Sequence, residues 1–285
     1  MPIDLYVGGS EHAVLHLMYS RFWHKVLNDL GYVSTKEPFL KLRHQGIILG
    51  EDSRKMSKSR GNVVNPDDVV KEYGADSMRL FEMFMGPLEE MKPWSTRGVE
   101  GVFRFLNRFW RLFVNEEGTL DTAINNIEPT IDFERLYHQT VKKVGDDIEN
   151  LRFNTAISQM MIFLNEAMKL EIRPRKLMEN FVLLLAPFAP HIAEEIWEKL
   201  GHTKSTAYEQ WPIYNEEKCA ESTVEVVLQI NGKVRSKIAV AKDTPATELE
   251  LLAFKDTNIK RYMDGKRIIK KIVIPNKLVN IVVGN

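Results

Sequence analysis

The sequence has little cysteine, no long apolar run and no excess of either charge. Its single cysteine, Cys219, excludes an internal disulfide bond and a zinc site built from several cysteines. The longest apolar run, residues 181–189, is interrupted by Pro187 and is too short to cross a bilayer. The first residues are neither basic nor followed by the apolar segment of a signal peptide. These absences predict a protein of the reducing cytoplasm that has no membrane partner.

Several motifs that would indicate a particular chemistry are also missing. The sequence has no Walker A loop, no G-x-G-x-x-G dinucleotide motif and no G-x-S-x-G nucleophile elbow. His12 and His16 stand one helical turn apart, as metalloprotease zinc ligands do, but Glu11 precedes both histidines instead of following the first. We therefore predict no metal site in this chain, and we expect both histidines to face a pocket or to lie in a core.

The 39 basic and 39 acidic residues are unevenly distributed along the chain. Residues 1–92 contain 12 Lys and Arg and 13 Asp and Glu, whereas residues 93–221 contain 15 and 20. Residues 222–285 contain 12 and 6, which gives this segment a net charge of +6. A basic segment on a neutral chain predicts a polyanionic partner, although a solvated lysine-rich surface would have the same composition.

The pattern of apolar residues predicts an α/β domain in residues 1–92. Residues 3–7 form a short apolar run, Gly8 and Gly9 supply a turn, and a helical pattern extends to Gly31. A second apolar run at residues 47–49 predicts another strand. Strand, glycine turn and helix in this order are typical of an α/β domain.

Two helix starts follow in the same domain. Asn65 is a good N-cap, and Pro66 suits the first helical position of a helix that ends at Gly74. Asp76 then predicts the N-cap of a further helix, which ends before Gly86.

The remaining residues predict two further domains, a helical one over 93–221 and an α+β one over 222–285. From residue 98 to residue 200 the apolar spacing is helical, so four or five antiparallel helices in a bundle are the expected packing. From Val224 onward apolar and polar residues alternate, and Asn231-Gly232 suits a type I′ hairpin turn. The small domain is completed by a helix at 247–254 and strands at 270–274 and 278–283.

The segment Lys55-Met56-Ser57-Lys58-Ser59 gives the sharpest chemical signal. Two cations and two hydroxyl groups stand close together on a polar segment between a predicted strand and a well-capped helix. Such a set suits a polyphosphate whose negative charge grows while a bond to phosphorus breaks. An ordinary surface loop is the alternative, but at average residue usage this pentamer arises by chance about once in ten thousand chains of this length.

These five residues are identical to the KMSKS signature of the class I aminoacyl-tRNA synthetases. Residues 6–17, from Tyr6 to Leu17, resemble the strand, turn and helix of leucyl-tRNA synthetases of bacterial type. The resemblance covers essentially the whole chain. Its other segments are 65–80, 92–95, 186–195 and 227–237.

The chain departs from that family in what it does not contain. The HIGH signature and anything resembling the editing domain are absent, and only Gly50–Arg54 stands where many bacterial relatives have a leucine-specific insertion. The resemblance therefore implies a C-terminal portion of such an enzyme. Residues 1–92 would be part of its Rossmann-like catalytic domain, 93–221 its anticodon-stem-binding bundle, and 222–285 a tRNA-binding domain.

The resemblance also implies a reaction and a set of site residues. Leucine would attack the α-phosphate of ATP, which arrives with Mg²⁺, and the leucyl group would then pass to tRNA(Leu). Lys58 would hold the phosphates while pyrophosphate leaves, and Lys55 would assist. The adenylate would contact Gly8, Gly9, Glu11, Ser57 and Ser59, and leucine would contact Tyr6, His12 and His16. We expect a monomer that is inactive without the rest of the catalytic domain.

The basic residues of 222–285 are expected to contact tRNA phosphates, as the equivalent domain does in the family. Lys233, Arg235 and Lys237 alternate with apolar or small residues in the sequence. If Val234 and Ile238 face the core, the three cations lie on the opposite face of the strand. A second cluster comprises Lys266, Arg267, Lys270 and Lys271.

Two other interpretations stay open at this point. The chain could be a non-catalytic tRNA-binding module that kept the loop without the chemistry. It could also belong to a class I synthetase for isoleucine, valine or methionine, which the residues from Glu11 to Leu17 disfavour.

Overall fold

The computed structural model describes residues 1–220 and 223–284, which form two compact units, Met1–Asn215 and Glu216–Asn285. The first unit holds the predicted α/β segment together with nearly all of the predicted helical segment. One apolar core runs through it from Val69 to Leu200. The second unit has a separate core. In the described part of the chain, no helix is long and apolar enough to span a bilayer.

The first unit begins with two parallel strands, β1 (Tyr6–Gly9) and β2 (Leu42–Gln45). They are joined through a short helical turn and helix α1 (Met18–Asp29). The predicted strand at 3–7 is displaced toward the glycines, because Gly8 and Gly9 continue the ladder opposite His44 and Gln45. Strand β3 (Ile48–Leu49) pairs in parallel with β4 (Lys92–Pro93).

Helix α1 turns an apolar face to solvent. Its buried side carries His24, whose ring bonds to the Thr35 carbonyl at 2.8 Å. On the other side, Phe22 and Trp23 are 57% and 61% exposed. The amphipathic pattern read from the sequence is therefore present, but this unit does not bury its apolar side.

Helices α2 (Pro66–Tyr73) and α3 (Ala75–Phe84) follow the loop that leaves β3. The predicted cap of α2 is confirmed, since Oδ1 of Asn65 accepts the amide of Asp67 at 3.2 Å. The predicted cap of α3 is wrong: Gly74 stands at that position, and Asp76 makes no bond to its own helix. The Asp76 carboxylate instead accepts the backbone amide of Ile192 at 2.8 Å.

The predicted bundle is confirmed as five helices. Their bounds are α4 Thr96–Phe113, α5 Ile131–Glu149, α6 Phe153–Ala167, α7 Arg175–Leu185 and α8 Pro190–Lys199. A short parallel pair, β5 (Ile124–Asn125) with β6 (Arg173–Pro174), lies between them. At the centre, Phe109 and Phe163 both pack against Phe181, with ring centroids 4.8 and 4.6 Å from that of Phe181.

The second unit has a four-stranded sheet in the order β8-β7-β10-β9, in which only β7 and β10 are parallel. Asn231 and Gly232 both have positive φ angles, 51° and 75°, as the predicted type I′ turn requires. The helices are α9 Glu216–Cys219, α10 Ala246–Lys255 and α11 Thr257–Met263, and the strands are β7 Thr223–Ile230, β8 Lys233–Ala241, β9 Arg267–Ile274 and β10 Leu278–Gly284.

Candidate functional site

The three residues predicted for an amino-acid pocket lie together: Tyr6 is the first residue of β1, and His12 and His16 lie in the helical turns that follow the strand. The rings of Tyr6 and His16 stack with centroids 5.6 Å apart, and His12 meets His16 edge to face at 6.3 Å. Phe39, which the sequence reasoning missed, lies 4.4 Å from the Tyr6 ring. In the sequence, the one feature that could have indicated Phe39 as a site residue is an aromatic side chain shortly before β2. The cluster is open, because both histidines are exposed.

The two glycines at the end of β1 are explained by neighbours from the same chain. A Cβ at Gly9 would overlap the carboxylate of Glu11, and a Cβ at Gly8 would lie 3.3 Å from the Tyr6 ring. The ring Nδ1 of His44 lies 3.2 Å from the Gly8 carbonyl oxygen. Because Gly9 has no side chain, the Glu11 carboxylate can lie against the Gly9 backbone at the end of the strand.

A cavity of about 500 Å³ opens beside Gly9 and Glu11. Gln45 and Ile48 line it from the neighbouring strands, and Lys92 lines it from β4. The Lys92 ammonium donates to the Gly86 carbonyl at 3.0 Å, and its partial burial lowers the lysine pKa. The space beside the glycine turn thus contains both an exposed carboxylate and a half-buried cation.

The loop predicted to bind phosphate leaves β3 at Gly50 and returns at Asn62. Its centre is a short 3₁₀ turn, Lys58–Arg60, closed by Gly61 with a φ of 68°. The hydroxyl oxygens of Ser57 and Ser59 lie 3.1 Å apart. Lys55 and Lys58 are exposed, and within the described residues neither has an ion-pair partner. The loop therefore presents two uncompensated positive charges beside two hydroxyl groups.

The base of this loop is held by one amide side chain. Oδ1 of Asn62 accepts the amide of Ser57 at 2.9 Å, and Nδ2 donates to Oδ1 of Asp52 at 3.1 Å. The bond from Asn62, with a further one from the backbone of Arg54, lowers the pKa of Asp52. The signature ends at Ser59, so it did not predict this pair, although Asn62 follows the signature closely.

A second cavity, of about 510 Å³, lies against the returning arm of the loop. Its lining includes the acids Glu51, Asp52, Asp68 and Glu72. Neither Lys55 nor Lys58 lines it, and it is separate from the cavity beside Gly9. The structure therefore brings Tyr6, His12 and His16 together and Ser57 together with Ser59, but neither of these two cavities joins the two groups.

Two family models match the chain. The model described as "tRNA synthetases class I (I, L, M and V)" matches residues 1–92, and "Anticodon-binding domain of tRNA ligase" matches residues 132–251. The solved structure of the agnB2 LeuRS of Agrobacterium radiobacter K84, in a ternary complex with tRNA and LeuAMS, aligns with 99% of this chain at 33% identity and a TM-score of 0.76. The chain thus contains a class I tRNA synthetase domain and an anticodon-binding domain of a tRNA ligase. The resemblance read from the sequence is thereby confirmed.

The chain spans 38% of the length of that LeuRS. A second class I synthetase, the methionyl-tRNA synthetase of Mycobacterium tuberculosis in complex with methionyl-adenylate, aligns with 69% of this chain and 44% of its own length. At 18% identity and a TM-score of 0.53, this second match supports the shared fold alone. The class I fold is thus common to both relatives, whereas the higher identity is to the leucyl enzyme.

The predicted common face of Lys233, Arg235 and Lys237 is wrong. A bulge in β8 leaves Arg235 as an extra residue, because Leu228 pairs with Ser236 while Gln229 already pairs with Val234. Val234 is consequently 55% exposed instead of facing the core. The Arg235 guanidinium lies 4.0 Å from the centre of the Tyr262 ring, and Lys237 forms an ion pair with Glu225 at 2.7 Å.

The second predicted basic cluster is divided in a similar way. Lys271 forms an ion pair with Glu250 at 2.7 Å and lies over the Phe254 ring. Lys266 and Arg267 stand where β9 begins, at the end of the sheet where β8 begins with Lys233. These three cations are exposed, and the described part of the chain gives none of them an ion-pair partner.

The described residues contain no group of three or more His, Cys, Asp and Glu side chains that could hold a metal ion. The rings of His12 and His16, which have the spacing of zinc ligands, meet edge to face, and the His16 ring also stacks on Tyr6.

Proposed function

We propose that this chain supplies the phosphate-binding loop, part of the leucyl-adenylate site and the tRNA-binding domains of a leucine–tRNA ligase. The observation that carries the proposal is a loop on which Lys55 and Lys58 are exposed and have no ion-pair partner among the described residues. The chain that contains this loop is 33% identical to a LeuRS over 99% of its residues. In the reaction, the leucine carboxylate attacks the α-phosphate of ATP and pyrophosphate leaves. The leucyl group then passes to tRNA(Leu).

The loop acts through electrostatic stabilisation of the leaving pyrophosphate. As the bond between the α- and β-phosphates breaks, negative charge accumulates on the departing group, and Lys58 with Lys55 neutralises it. Ser57 and Ser59 add hydroxyl donors 3.1 Å apart. ATP brings Mg²⁺ with its phosphates. The lysines accelerate the reaction to the extent that they bind the transition state better than ATP itself.

The cluster at the end of β1 binds leucine and the ribose of the adenylate. Tyr6, His12 and His16 form the wall of the leucine site, and Phe39 extends its apolar part. The Glu11 carboxylate on Gly9 is placed to accept hydrogen bonds from ribose hydroxyls. An apolar wall of this kind distinguishes one methylene group by only about 1–3 kcal/mol.

The exposed cations at one end of the second sheet, Lys233, Lys266 and Arg267, contact tRNA phosphates. They are free to do so because their charges are not neutralised by neighbouring carboxylates in the described residues. Arg235, Lys237 and Lys271 contribute less, since each is already bound to an aromatic ring or a carboxylate of the same unit. We further propose that the ligase works as a monomer in the cytoplasm.

The substitution Lys58→Ala tests the catalytic part of this proposal. In the complete ligase that contains this chain, we expect adenylate formation to slow by about 10²–10³-fold, because one charge that stabilises the leaving group is lost. The affinity for leucine should stay unchanged. Rapid-quench measurement of adenylate formation gives the rate, and Lys71→Ala, an exposed lysine of α2, is the control. A rate equal to wild type for Lys58→Ala would refute the role of the loop.

A further inference from the structure

The geometry at the base of the lysine loop points to a positioning device that we call the Asn62 clasp, formed by Gly50, Asp52, Ser57 and Asn62. We propose that the clasp holds Ser57, and with it the adjoining Lys58, in the position that serves the leaving phosphates. Asn62 and Asp52 are then positioning residues of the reaction. This inference rests on the proposed function of the loop.

The clasp joins the two arms of the loop through one side chain. The amide of Ser57 donates to Oδ1 of Asn62 at 2.9 Å, so the residue before Lys58 is fixed to the returning arm. Nδ2 of Asn62 donates to both carboxylate oxygens of Asp52, at 3.1 and 3.3 Å, and lies 3.4 Å from the Lys55 carbonyl. The acceptor and the donors of one amide group are therefore all engaged, and their bonds reach three residues of the loop, Asp52, Lys55 and Ser57.

Gly50 makes room for this arrangement. A Cβ built on Gly50 would lie 2.7 Å from Oδ1 of Asp52 and 2.9 Å from Nδ2 of Asn62. Both distances are shorter than van der Waals contact, so a side chain at this position would push the two partners apart. The Asn62 backbone oxygen, at 3.1 Å, is the third near neighbour, so the buried glycine at the end of β3 is explained by its contacts with Asp52 and Asn62.

The departing arm of the loop is also fixed around Asp52. The amide of Gly50 donates to the Arg54 carbonyl at 2.8 Å, and the amide of Arg54 donates to the Asp52 carboxylate at 3.1 Å. Asp52 therefore connects the start of the loop to Asn62 at its end. In contrast, Lys55 and Lys58 themselves have no ion-pair partner among the described residues. The hydrogen bonds of the clasp hold the backbone next to these lysines, whereas their ammonium groups are available to bind phosphate.

A loop that is already held in position changes its conformation less during the reaction, so the free-energy cost of ordering it is smaller. A cation that is already positioned stabilises developing charge without losing free energy to ordering at that moment. Misplacement of a catalytic group by about 1 Å can slow a reaction by as much as about 100-fold. Loss of the clasp should therefore lower kcat for adenylate formation and leave the KM for leucine unchanged, because leucine binds at the end of β1.

The decisive test swaps the residue types at positions 62 and 52, first one at a time and then together. Asn62→Asp places two carboxylates against each other and should lower kcat about 10–100-fold in the complete ligase. Asp52→Asn leaves an acceptor for Asn62 and should have a small effect. The double variant Asn62→Asp with Asp52→Asn restores one donor and one acceptor with reversed polarity, so it should recover most of the wild-type kcat. Asp67→Asn, an exposed acid of α2, is the matched control.

A second measurement separates this inference from the proposed function. In the 285-residue chain, Asn62→Ala should speed hydrogen exchange of the Ser57 amide by about 5–10-fold, because one hydrogen bond is lost. Unchanged exchange would overturn the clasp whatever the enzyme does. If Lys58→Ala slows adenylate formation but Asn62→Asp does not, or the double variant fails to recover, the positioning role is wrong. If Lys58→Ala is itself without effect, the proposed function of the loop fails instead.

Discussion

Asp147, near the end of α5, is a carboxylate with no solvent exposure. Lys143 and Arg152 form ion pairs with it, the latter at 2.8 Å, and the Thr155 hydroxyl donates to it at 2.6 Å. Burial raises the pKa of Asp147, but the hydrogen bonds from these three side chains outweigh burial and leave the pKa below its usual range. The charged form is therefore the one that the folded chain stabilises.

We expect Asp147→Asn to lower the free energy of unfolding by about 2 kcal/mol at pH 7. This is below the about 3–5 kcal/mol typical of a broken buried pair, because Lys143 and Arg152 are half-exposed and can be hydrated. Since the folded pKa is depressed, the stabilisation is present above the unfolded pKa of about 3.9 and is lost as the pH falls below it. Urea denaturation of the wild type and of Asp147→Asn, at pH 7 and at pH 3, measures the difference in their free energies of unfolding. An equal difference at the two pH values would contradict this account.

At the scale of single elements, helix α4 contains two glycines with opposite surroundings. A Cβ at Gly98 would overlap the ring of Phe81 from α3, which is buried and packs edge to face on Trp94 at 5.0 Å. A Cβ at Gly101 would meet only the end of the Arg104 side chain, at 4.0 Å. One glycine therefore permits the contact between α3 and α4, and the other has no packing role.

These surroundings predict opposite effects of the same substitution. Gly101→Ala should stabilise the fold by up to about 1 kcal/mol, because alanine is the better helix former. Gly98→Ala should destabilise the fold by about 1–3 kcal/mol, since the Phe81 ring has no free space to enter. Equilibrium urea denaturation followed by circular dichroism measures both, and each variant serves as the control for the other. If Gly98→Ala stabilised the fold, the prediction would be wrong, because α3 and α4 could then move apart at little cost in free energy.

At the scale of the whole molecule, charge is divided between units that have separate cores. Residues 222–285 carry a net charge of +6, so this segment contributes most of the attraction to a polyanion. Within it, ion pairs neutralise Lys237 and Lys271, whereas Lys233, Lys266 and Arg267 lie exposed at one end of the sheet. The overall charge gives the kind of partner, and the local ion pairs decide which cations can reach it.

The proposed function predicts that the affinity of the 285-residue chain for tRNA(Leu) falls as the salt concentration rises. Each phosphate contact contributes about −0.7 to −0.9 to the slope of log K against log salt. The combined substitution of Lys233, Lys266 and Arg267 by alanine should therefore reduce the slope by about 2–3, whereas Lys237→Ala should change it little. Fluorescence anisotropy with labelled tRNA over a series of salt concentrations measures the slopes. Equal slopes for the triple variant and the wild type would exclude this end of the sheet as the binding surface.

The features that depend on residues close together in the chain could be predicted before the fold was known. The signature from Lys55 to Ser59, the cap at Asn65 and the turn at Asn231-Gly232 are each recognisable because the interacting atoms are a few residues apart. The helical stripes of the bundle follow from the same short-range periodicity. These local patterns were sufficient to place the chain in its family.

Contacts between residues that are far apart in the sequence could be seen only in the folded chain. Asp76 has the residue type of a helix cap, but it binds the start of α8, 116 positions away, because α3 and α8 pack together. Arg235 follows an alternating pattern, yet a single bulge turns it toward Tyr262. Such outcomes depend on packing between elements, in which many alternatives have similar local free energies, so residue type and spacing alone do not determine them.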